Sequence, residues 1–139
     1  MSDDRPIDAS LEPLLAAARE AARRAYAPYS NFRVGAALQL SNGAVVTGTN
    51  VENMSYGLTI CAERAAIARA IAEHGPQIRV TAAAVANLND APSPPCGACR
   101  QMLAEFIAPD APVVFPAAGG VLRMRFDELL PQAFFLKME

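Results

Sequence analysis

The sequence predicts an α/β protein, a three-layer α/β/α sandwich around a mixed five-stranded sheet. Helical and strand-like segments alternate along the chain in the order helix, hairpin, helix, strand, helix, two strands and helix. This alternation is typical of helices that pack on both faces of one sheet. The 139 residues, 53 % of them hydrophobic, are enough for one domain with a buried core. We therefore expect residues 1–139 to form a single domain, with residues 1–10 as a flexible N-terminus.

The first predicted element is a helix over residues 11–26. This segment is rich in Ala, Leu and Arg, which favour helices. Ser10 directly precedes it and is a candidate N-cap residue, because its hydroxyl can accept a hydrogen bond from the first turn. Pro28 ends the predicted helix.

A β-hairpin is predicted over residues 32–40 and 45–50. The Asn-Gly pair at 42–43 separates these two apolar runs, and Asn-Gly in that position strongly favours a tight hairpin turn. Residues 51–60 carry Asn, Glu, Ser and Gly, so we interpret them as a loop that lines a site. The later elements are a helix over 61–74, a strand over 78–86, a helix over 97–107, strands over 113–115 and 121–125, and a short helix over 126–130.

Composition excludes several classes of protein. The net charge is −2 and no basic block occurs, whereas a nucleic-acid-binding groove normally leaves a positively charged patch. The acidic, polar start of the chain does not resemble a signal peptide, and no apolar run approaches the roughly 20 residues that span a bilayer. The odd number of cysteines, three, argues against a disulfide framework. We expect a cytoplasmic protein with reduced thiols and with neither a nucleic-acid nor a membrane partner.

The cysteines lie in two motifs, Cys-x-Glu at residues 61–63 and Pro-Cys-x-x-Cys at residues 95–99. Both motifs lie where a predicted helix begins, and the N–H groups of a helix N-terminus favour the thiolate that binds metal. Structural zinc sites use four protein ligands, whereas catalytic sites use three and keep one position for water. Cys61, Cys96 and Cys99 therefore predict a site for one catalytic Zn²⁺ per chain.

A closed structural zinc site is the competing interpretation of the cysteines. It would need a fourth ligand, and His74 is the one histidine of the chain. The predicted helix from Cys61 puts His74 roughly 20 Å away from that cysteine. A histidine beside Gly-Pro more often lies at a helix C-terminus and caps it.

Glu63 is predicted to be a general acid/base that exchanges protons with a zinc-bound water. Side chains two residues apart on a helix diverge, so Glu63 is expected to reach that water and not to share the ion with Cys61. The competing interpretation is a glutamate that only compensates the helix dipole.

Arg64 and Arg100 each lie within three residues of a predicted zinc ligand. A guanidinium that donates hydrogen bonds to the sulfurs would withdraw charge from a three-thiolate site and restore the acidity of its water. The competing interpretation is that both arginines lie on solvated helix faces.

The two motifs match the signature of zinc deaminases in its all-cysteine form. The chain resembles the small homotetrameric zinc-dependent cytidine deaminases from about residue 11 to residue 134, and further matching segments are residues 25–37, 50–53, 59–66 and 128–131. One departure is Pro94, where the family usually has Ser or Thr. The family uses the backbone carbonyl of that residue, and proline retains a carbonyl.

This resemblance implies hydrolysis of cytidine and deoxycytidine to uridine and deoxyuridine with release of ammonia, a reaction of pyrimidine salvage. Zinc-bound hydroxide would attack C4, while Glu63 would pass one proton to N3 and would then protonate the amino group in a second transfer. The resemblance also implies a homotetramer whose active sites are shared between subunits.

The resemblance further implies a set of substrate-binding residues. Asn50 and Glu52 would hydrogen-bond the ribose 3′-hydroxyl, Phe32 would stack on the pyrimidine, and the Ala62 N–H would contact the base carbonyl. From the residues alone, Asn50 and Glu52 are equally compatible with a turn.

Tyr56 and Phe134 are the residues that the resemblance places in a neighbouring subunit's site. Phe134 stands beside Phe135, so a position in the core is its competing interpretation.

Three other functions remain open from the sequence. The first is deamination of another aminopyrimidine nucleoside, such as an aminoglycosyl-cytosine antibiotic. The second is editing of a polynucleotide, which the acidic balance and missing basic patch disfavour. The third is a zinc-binding structural or interaction module, which would bind zinc without turnover and would not need Glu63.

Overall fold

Five β-strands form one sheet in the computed structural model, which describes residues 9–136. The strands are β1 (Val34–Leu40), β2 (Val45–Thr49), β3 (Val80–Asn87), β4 (Pro112–Ala117) and β5 (Gly120–Arg125). Their order across the sheet is β2-β1-β3-β4-β5. The pair β3 and β4 is parallel and the other neighbouring pairs are antiparallel. The predicted mixed five-stranded sheet is confirmed.

Helices cover both faces of this sheet. The α-helices of the described residues are α1 (Glu12–Ala22), α2 (Ala62–His74), α3 (Gly97–Ala104) and α4 (Phe126–Leu129). Helix α1 packs against Ala37 and Ala84 on one face. The other three helices pack on the opposite face, where Leu38 and Val85 point because successive strand residues alternate between faces. The result is the predicted three-layer sandwich.

The β1–β2 hairpin turns at the predicted Asn-Gly pair. Leu38 pairs with Val46 across the two strands. Gly43 has a φ of 91°, a backbone conformation that glycine adopts without steric cost. Asn42 supports the turn, because its Oδ1 accepts a hydrogen bond of 2.9 Å from the N–H of Ala44.

The start of α1 differs from the prediction. Residues Ala9–Leu11 form a 3₁₀ turn, so Leu11 and not Ser10 occupies the N-cap position of α1. Residues 1–8 of the N-terminus that we predicted to be flexible lie outside the described residues. The last two residues of the predicted flexible N-terminus, Ala9 and Ser10, belong to the 3₁₀ turn that leads into α1.

The end of α1 also differs, because the helix stops at Ala22 and not at residue 26. The backbone of Tyr26 pairs with the segment after β2. Its N–H donates to the Asn50 carbonyl at 3.2 Å, and its carbonyl accepts from the Glu52 N–H at 2.8 Å. These two hydrogen bonds hold Tyr26 in an extended bridge that a continued helix would break.

Helix α3 ends at Ala104, three residues before the predicted end. The Phe106 carbonyl accepts a hydrogen bond of 2.8 Å from the N–H of Val80, so the backbone after α3 joins the start of β3. Within residues 9–136, no helix combines the length and the apolar composition needed to cross a bilayer.

Candidate active site

Three thiol groups converge where α2 and α3 begin. Cys61 is the N-cap residue of α2, Cys96 is the N-cap residue of α3, and Cys99 lies in the first turn of α3. The Sγ of Cys96 lies 3.8 Å from the Sγ of Cys61 and 3.3 Å from the Sγ of Cys99. All three sulfurs lie within 4.8 Å of one another. The fold thus brings together the three residues that the sequence predicted to be metal ligands.

The spacing of these sulfurs fits one zinc ion. Zn–S bonds of about 2.3 Å at tetrahedral angles separate two sulfurs by about 3.8 Å. The Cys61–Cys96 distance of 3.8 Å matches this value, and the Cys96–Cys99 distance of 3.3 Å is shorter than it. His74 lies at the other end of α2, where its Nδ1 is 3.3 Å from the Asn42 side chain. Among the described residues the cluster therefore has three thiol donors and no histidine, which is the donor set of a catalytic zinc site.

The thiols differ in acidity when no metal is bound. The pKa of Cys61 is lowered by a hydrogen bond from Cys99 and by Arg64, which together outweigh the effect of burial. The pKa of Cys99 is raised by the same hydrogen bond and by its burial. Of these two thiols, Cys61 is therefore the more acidic. Because metal ligation requires deprotonated sulfur, binding of the ion must release a proton from Cys99.

Arg64 lies beside the cluster, as predicted. Its Nη2 is 3.7 Å from the Cys61 Sγ and donates to the Thr59 carbonyl at 3.3 Å. The guanidinium therefore stabilises the Cys61 thiolate and ties it to the segment before α2. The Nε of Arg64 is buried, and the residue as a whole is half-buried. Its role beside a bound zinc ion stays a prediction.

Arg100 binds backbone carbonyl groups. Its Nε donates to the Pro95 carbonyl at 2.7 Å, and its Nη1 donates to the Leu129 carbonyl at 2.8 Å. Pro95 directly precedes the ligand Cys96. The expected donation from Arg100 to a sulfur stays a prediction, and the carbonyl partners are a feature that the sequence did not reveal.

Glu63 is a buried carboxylic acid with 6 % of its surface exposed. Burial raises the pKa of Glu63, because it disfavours the charged form. The residue lines a cavity of about 190 Å³ together with Cys61, Cys96 and Asn50. The carboxyl group of Glu63 and two thiols of the cluster, those of Cys61 and Cys96, therefore line the same space.

The same cavity contains residues that sequence reasoning had not assigned to the site. Val34, at the start of β1, and Ser93, two residues before Pro95, complete its wall with Thr59 and Pro94. Val34 and Ser93 reach the cavity because β1 and the 93–96 segment lie beside the start of α2.

Asn50 joins the end of β2 to the start of β1. Its Oδ1 accepts from the Val34 N–H at 3.0 Å, and its Nδ2 donates to the Phe32 carbonyl at 2.8 Å. These two bonds explain why β1 begins at Val34 and not at residue 32. They also fix the backbone of Phe32, which is half-buried beside the site.

Glu52 holds the loop that precedes Phe32. Its Oε1 accepts the N–H groups of Tyr29 at 2.9 Å and Ser30 at 3.2 Å, and its Oε2 accepts the Ser30 hydroxyl. These hydrogen bonds, with that of the Ser30 hydroxyl the largest, lower the pKa of Glu52. Glu52 and Asn50 therefore shape the loop before β1, in line with the turn-forming interpretation. Their contact with a ribose hydroxyl stays a prediction.

The other expected substrate contacts lie in different environments. Ala62 is the first residue of α2 and is buried, with its N–H at the helix N-terminus. Tyr56 and Phe134 are 78 % and 67 % exposed, so the chain's own core does not contain either ring. The interpretation of Phe134 as a core residue is therefore wrong.

Residues 9–115 match the family model of the cytidine and deoxycytidylate deaminase zinc-binding region. This chain belongs to that family. The match includes both cysteine motifs and Glu63, so this member of the cytidine deaminase family carries the three-thiol cluster inside the region that defines the family as zinc-binding. The match to this zinc-binding family confirms the prediction of a zinc-dependent deaminase at the level of the family.

Curated relatives of this family member are similar over most of their length. The cytidine deaminase of Halalkalibacterium halodurans is 47 % identical over 122 residues, which cover 87 % of this chain and 91 % of the relative. The cytidine deaminase of Mycobacterium tuberculosis is 44 % identical over 119 residues, which cover 86 % of this chain and 85 % of the relative.

A solved structure shows the same architecture as this family member. The crystal structure of cytidine deaminase from Mycobacterium tuberculosis is similar with a TM-score of 0.79 and 40 % identity, covering 93 % of this chain and 100 % of that chain. The predicted fold class is therefore confirmed by comparison as well as by the sheet order.

Proposed function

We propose that the protein hydrolyses cytidine and deoxycytidine to uridine and deoxyuridine and releases ammonia. The observation that supports this most strongly is the buried Glu63, which lines one cavity with two thiols of the cluster. A carboxyl group with a raised pKa beside a water-binding metal position is suited to accept and return a proton. The relatives that match over most of this chain are named cytidine deaminases.

Glu63 performs the proton transfers in this proposal. Cys61, Cys96 and Cys99 would hold the zinc ion, which would lower the pKa of a bound water toward neutrality. Glu63 accepts a proton from the attacking water and delivers it to N3 of the ring, which makes C4 more electrophilic. The oxygen of the attacking water bonds to C4, and Glu63 takes the remaining proton of the resulting C4 hydroxyl group and gives it to the amino group. The C4–N bond then breaks, ammonia leaves and C4 becomes a carbonyl. Arg64, by donating to the Cys61 sulfur, reduces the excess negative charge of three thiolates.

The substrate would lie in the cavity beside Asn50 and Ala62. We propose that Phe32 stacks on the pyrimidine, that the Ala62 N–H donates to the base carbonyl, and that Asn50 and Glu52 contact the ribose 3′-hydroxyl. The hydrogen bonds that Glu52 accepts from the loop before Phe32 support this proposal, because they hold the loop in one conformation before substrate arrives.

We propose that the single domain assembles as a homotetramer in which Tyr56 and Phe134 complete a neighbour's site. The support is the large set of exposed apolar side chains in two parts of the chain, because monomeric proteins rarely expose such a concentration of apolar surface. These residues are Met54, Tyr56, Leu58 and Ile60 before α2, and Phe134, Phe135 and Leu136 after α4. We also propose a cytoplasmic location, because the three thiols are free.

The decisive experiment measures the ultraviolet change of cytidine and deoxycytidine with zinc-loaded protein and compares Glu63→Gln. We expect turnover by the parent chain and a loss in kcat of about 10²- to 10⁴-fold in the variant, with zinc content unchanged. Glu73→Gln is the matched control, since Glu73 lies on the same helix, is exposed and pairs with Arg69. Near-normal turnover by Glu63→Gln would exclude the proton-transfer role.

The substrate alternative is tested in the same assay. An aminoglycosyl-cytosine antibiotic added as a competitor should inhibit cytidine turnover weakly and should itself turn over slowly. Faster turnover of the antibiotic than of cytidine would replace the proposed substrate. Zinc binding without any turnover would favour the structural or interaction module.

A further inference from the structure

Two consecutive side chains of α3 hold the C-terminal segment. The Nη1 of Arg100 donates to the Leu129 carbonyl at 2.8 Å, where α4 ends. The Nε2 of Gln101 donates to the Phe134 carbonyl at 3.0 Å. The helix that begins with a metal ligand therefore also anchors the exposed aromatic residues that follow α4.

Arg100 has a second partner on the other side. Its Nε donates to the Pro95 carbonyl at 2.7 Å, and the side chain of Pro95 is fully buried. One half-buried guanidinium thus bridges the residue before Cys96 and the last turn of α4. Both contacts are short, as expected for hydrogen bonds from a charged donor.

The segment from Ser93 to Cys96 has few backbone N–H groups that can form hydrogen bonds. Ser93 is held through its N–H, which donates to the Pro116 carbonyl at 2.9 Å. The next two residues are Pro94 and Pro95, which have no N–H to donate. Backbone hydrogen bonds to these two residues can therefore form only at their carbonyl groups, and Arg100 occupies the carbonyl adjacent to the ligand.

We propose that Arg100 is a positioning residue that couples the placement of Cys96 to the placement of the C-terminal segment 126–136. A lysine cannot replace it fully, because one ammonium group lacks the planar fork that reaches two carbonyl groups in different directions. Loss of the guanidinium should increase the mobility of the backbone at Pro95 and of the backbone at Leu129 together. The link to catalysis rests on the proposed function, in which Phe134 completes a neighbouring site, whereas the link between the two segments does not.

The test compares Arg100→Ala, Arg100→Lys and Gln101→Ala in the full-length protein, with folding checked by circular dichroism. Zinc affinity is measured by competition with a chromogenic chelator, and backbone mobility by hydrogen exchange of residues 126–136. Arg100→Ala should weaken zinc binding by about 10-fold or more and speed exchange throughout residues 126–136. Gln101→Ala should speed exchange near Phe134 and leave zinc affinity unchanged. Arg100→Lys should give an intermediate loss of zinc affinity, and it carries the test if the alanine variant does not fold.

The coupling is overturned if the folded Arg100 variants keep the parent's zinc affinity, or if they lose zinc without faster exchange in residues 126–136. At saturating zinc, Arg100→Lys and Gln101→Ala should both raise the KM for cytidine more than they lower kcat. If zinc binding weakens and hydrogen exchange speeds up as expected but the KM values do not change, Arg100 does not influence catalysis through the C-terminal segment. A parent protein that does not turn over cytidine would refute the proposed function and leave the zinc and exchange measurements to decide the coupling.

Discussion

Gly48 of β2 and Ala66 of α2 lie so close that a β-carbon on Gly48 would come within 2.4 Å of the Ala66 backbone nitrogen. The same β-carbon would meet the Ala62 carbonyl oxygen at 2.6 Å. These atoms belong to the helix backbone and cannot rotate away. The absent side chain at Gly48 therefore sets how closely the start of α2, with Cys61 and Glu63 on either side of Ala62, approaches the sheet.

We predict that Gly48→Ala destabilises the protein by about 1–3 kcal/mol, the usual cost of overpacking. It should also weaken zinc binding, because α2 must move away from β2 and take Cys61 with it. Urea unfolding and zinc competition measure the two effects. Gly119→Ala is the control, since a β-carbon on Gly119 would meet no neighbouring atom of the described residues within 4 Å. Equal stability of the two variants would contradict the close-approach argument.

Removal of zinc should lower stability and expose the thiols. Ligand binding to the folded state adds about 2.7 kcal/mol at a free ligand concentration 100 times the Kd, so the melting temperature should rise with added zinc. Cys99→Ser should remove that dependence. All three cysteines of the chain lie in the cluster, so thiol titration should find three more reactive groups after chelation. Full reactivity in the zinc-loaded protein would contradict ligation by these cysteines.

Zinc binding should also depend on pH. The pKa of Cys99 is raised in the metal-free cluster, so binding near neutrality must displace a proton. Zinc affinity should therefore increase as pH rises from 6 to 8, and calorimetry in buffers of different ionisation enthalpy should detect proton release. An affinity independent of pH over this range would show that the cluster is already fully deprotonated.

Glu52 should contribute stability that depends on pH. Its folded-state pKa is lowered from 4.5 by the Ser30 hydroxyl and by two N–H groups. A lowered acid pKa contributes stability above the unfolded-state pKa, and this contribution disappears as pH falls through the folded-state value. Zinc-free Glu52→Gln should thus be less stable than zinc-free parent at pH 7, with the difference shrinking below pH 4.5. Urea midpoints of the two zinc-free proteins at several pH values measure this difference in stability. A difference that does not change with pH would contradict the stabilising role of the ionised Glu52.

Shared active sites predict complementation between two defective chains. Phe134→Ala should lower activity because it removes a contact to the neighbouring site, and Glu63→Gln should lower it because it removes the proton carrier. Mixed tetramers, if the chain assembles as proposed, would place an intact Glu63 next to an intact Phe134. Co-expression should then give activity above the sum of the two variants. Activity equal to that sum, with mixed tetramers verified by mass, would contradict the shared site.

Local patterns in the sequence determined the order of elements and the chemistry of the site. Alternating helix and strand signals specify the sandwich, because each element needs one apolar face to pack. The Asn-Gly pair at 42–43 specifies the hairpin turn through backbone preference alone. Cys61, Cys96 and Cys99 specify a three-ligand site, because ligand number and type are properties of the residues themselves.

Only the tertiary structure decided where the elements end and what the polar side chains bind. Helix α1 stops at Ala22 because the backbone of Tyr26 pairs with residues after β2, and Arg100 reaches the Leu129 carbonyl, 29 residues away in sequence. The burial of Glu63 likewise depends on how α2 lies on the sheet. Contacts between distant residues arise from packing of the whole chain, whereas propensity and spacing report on neighbouring residues alone.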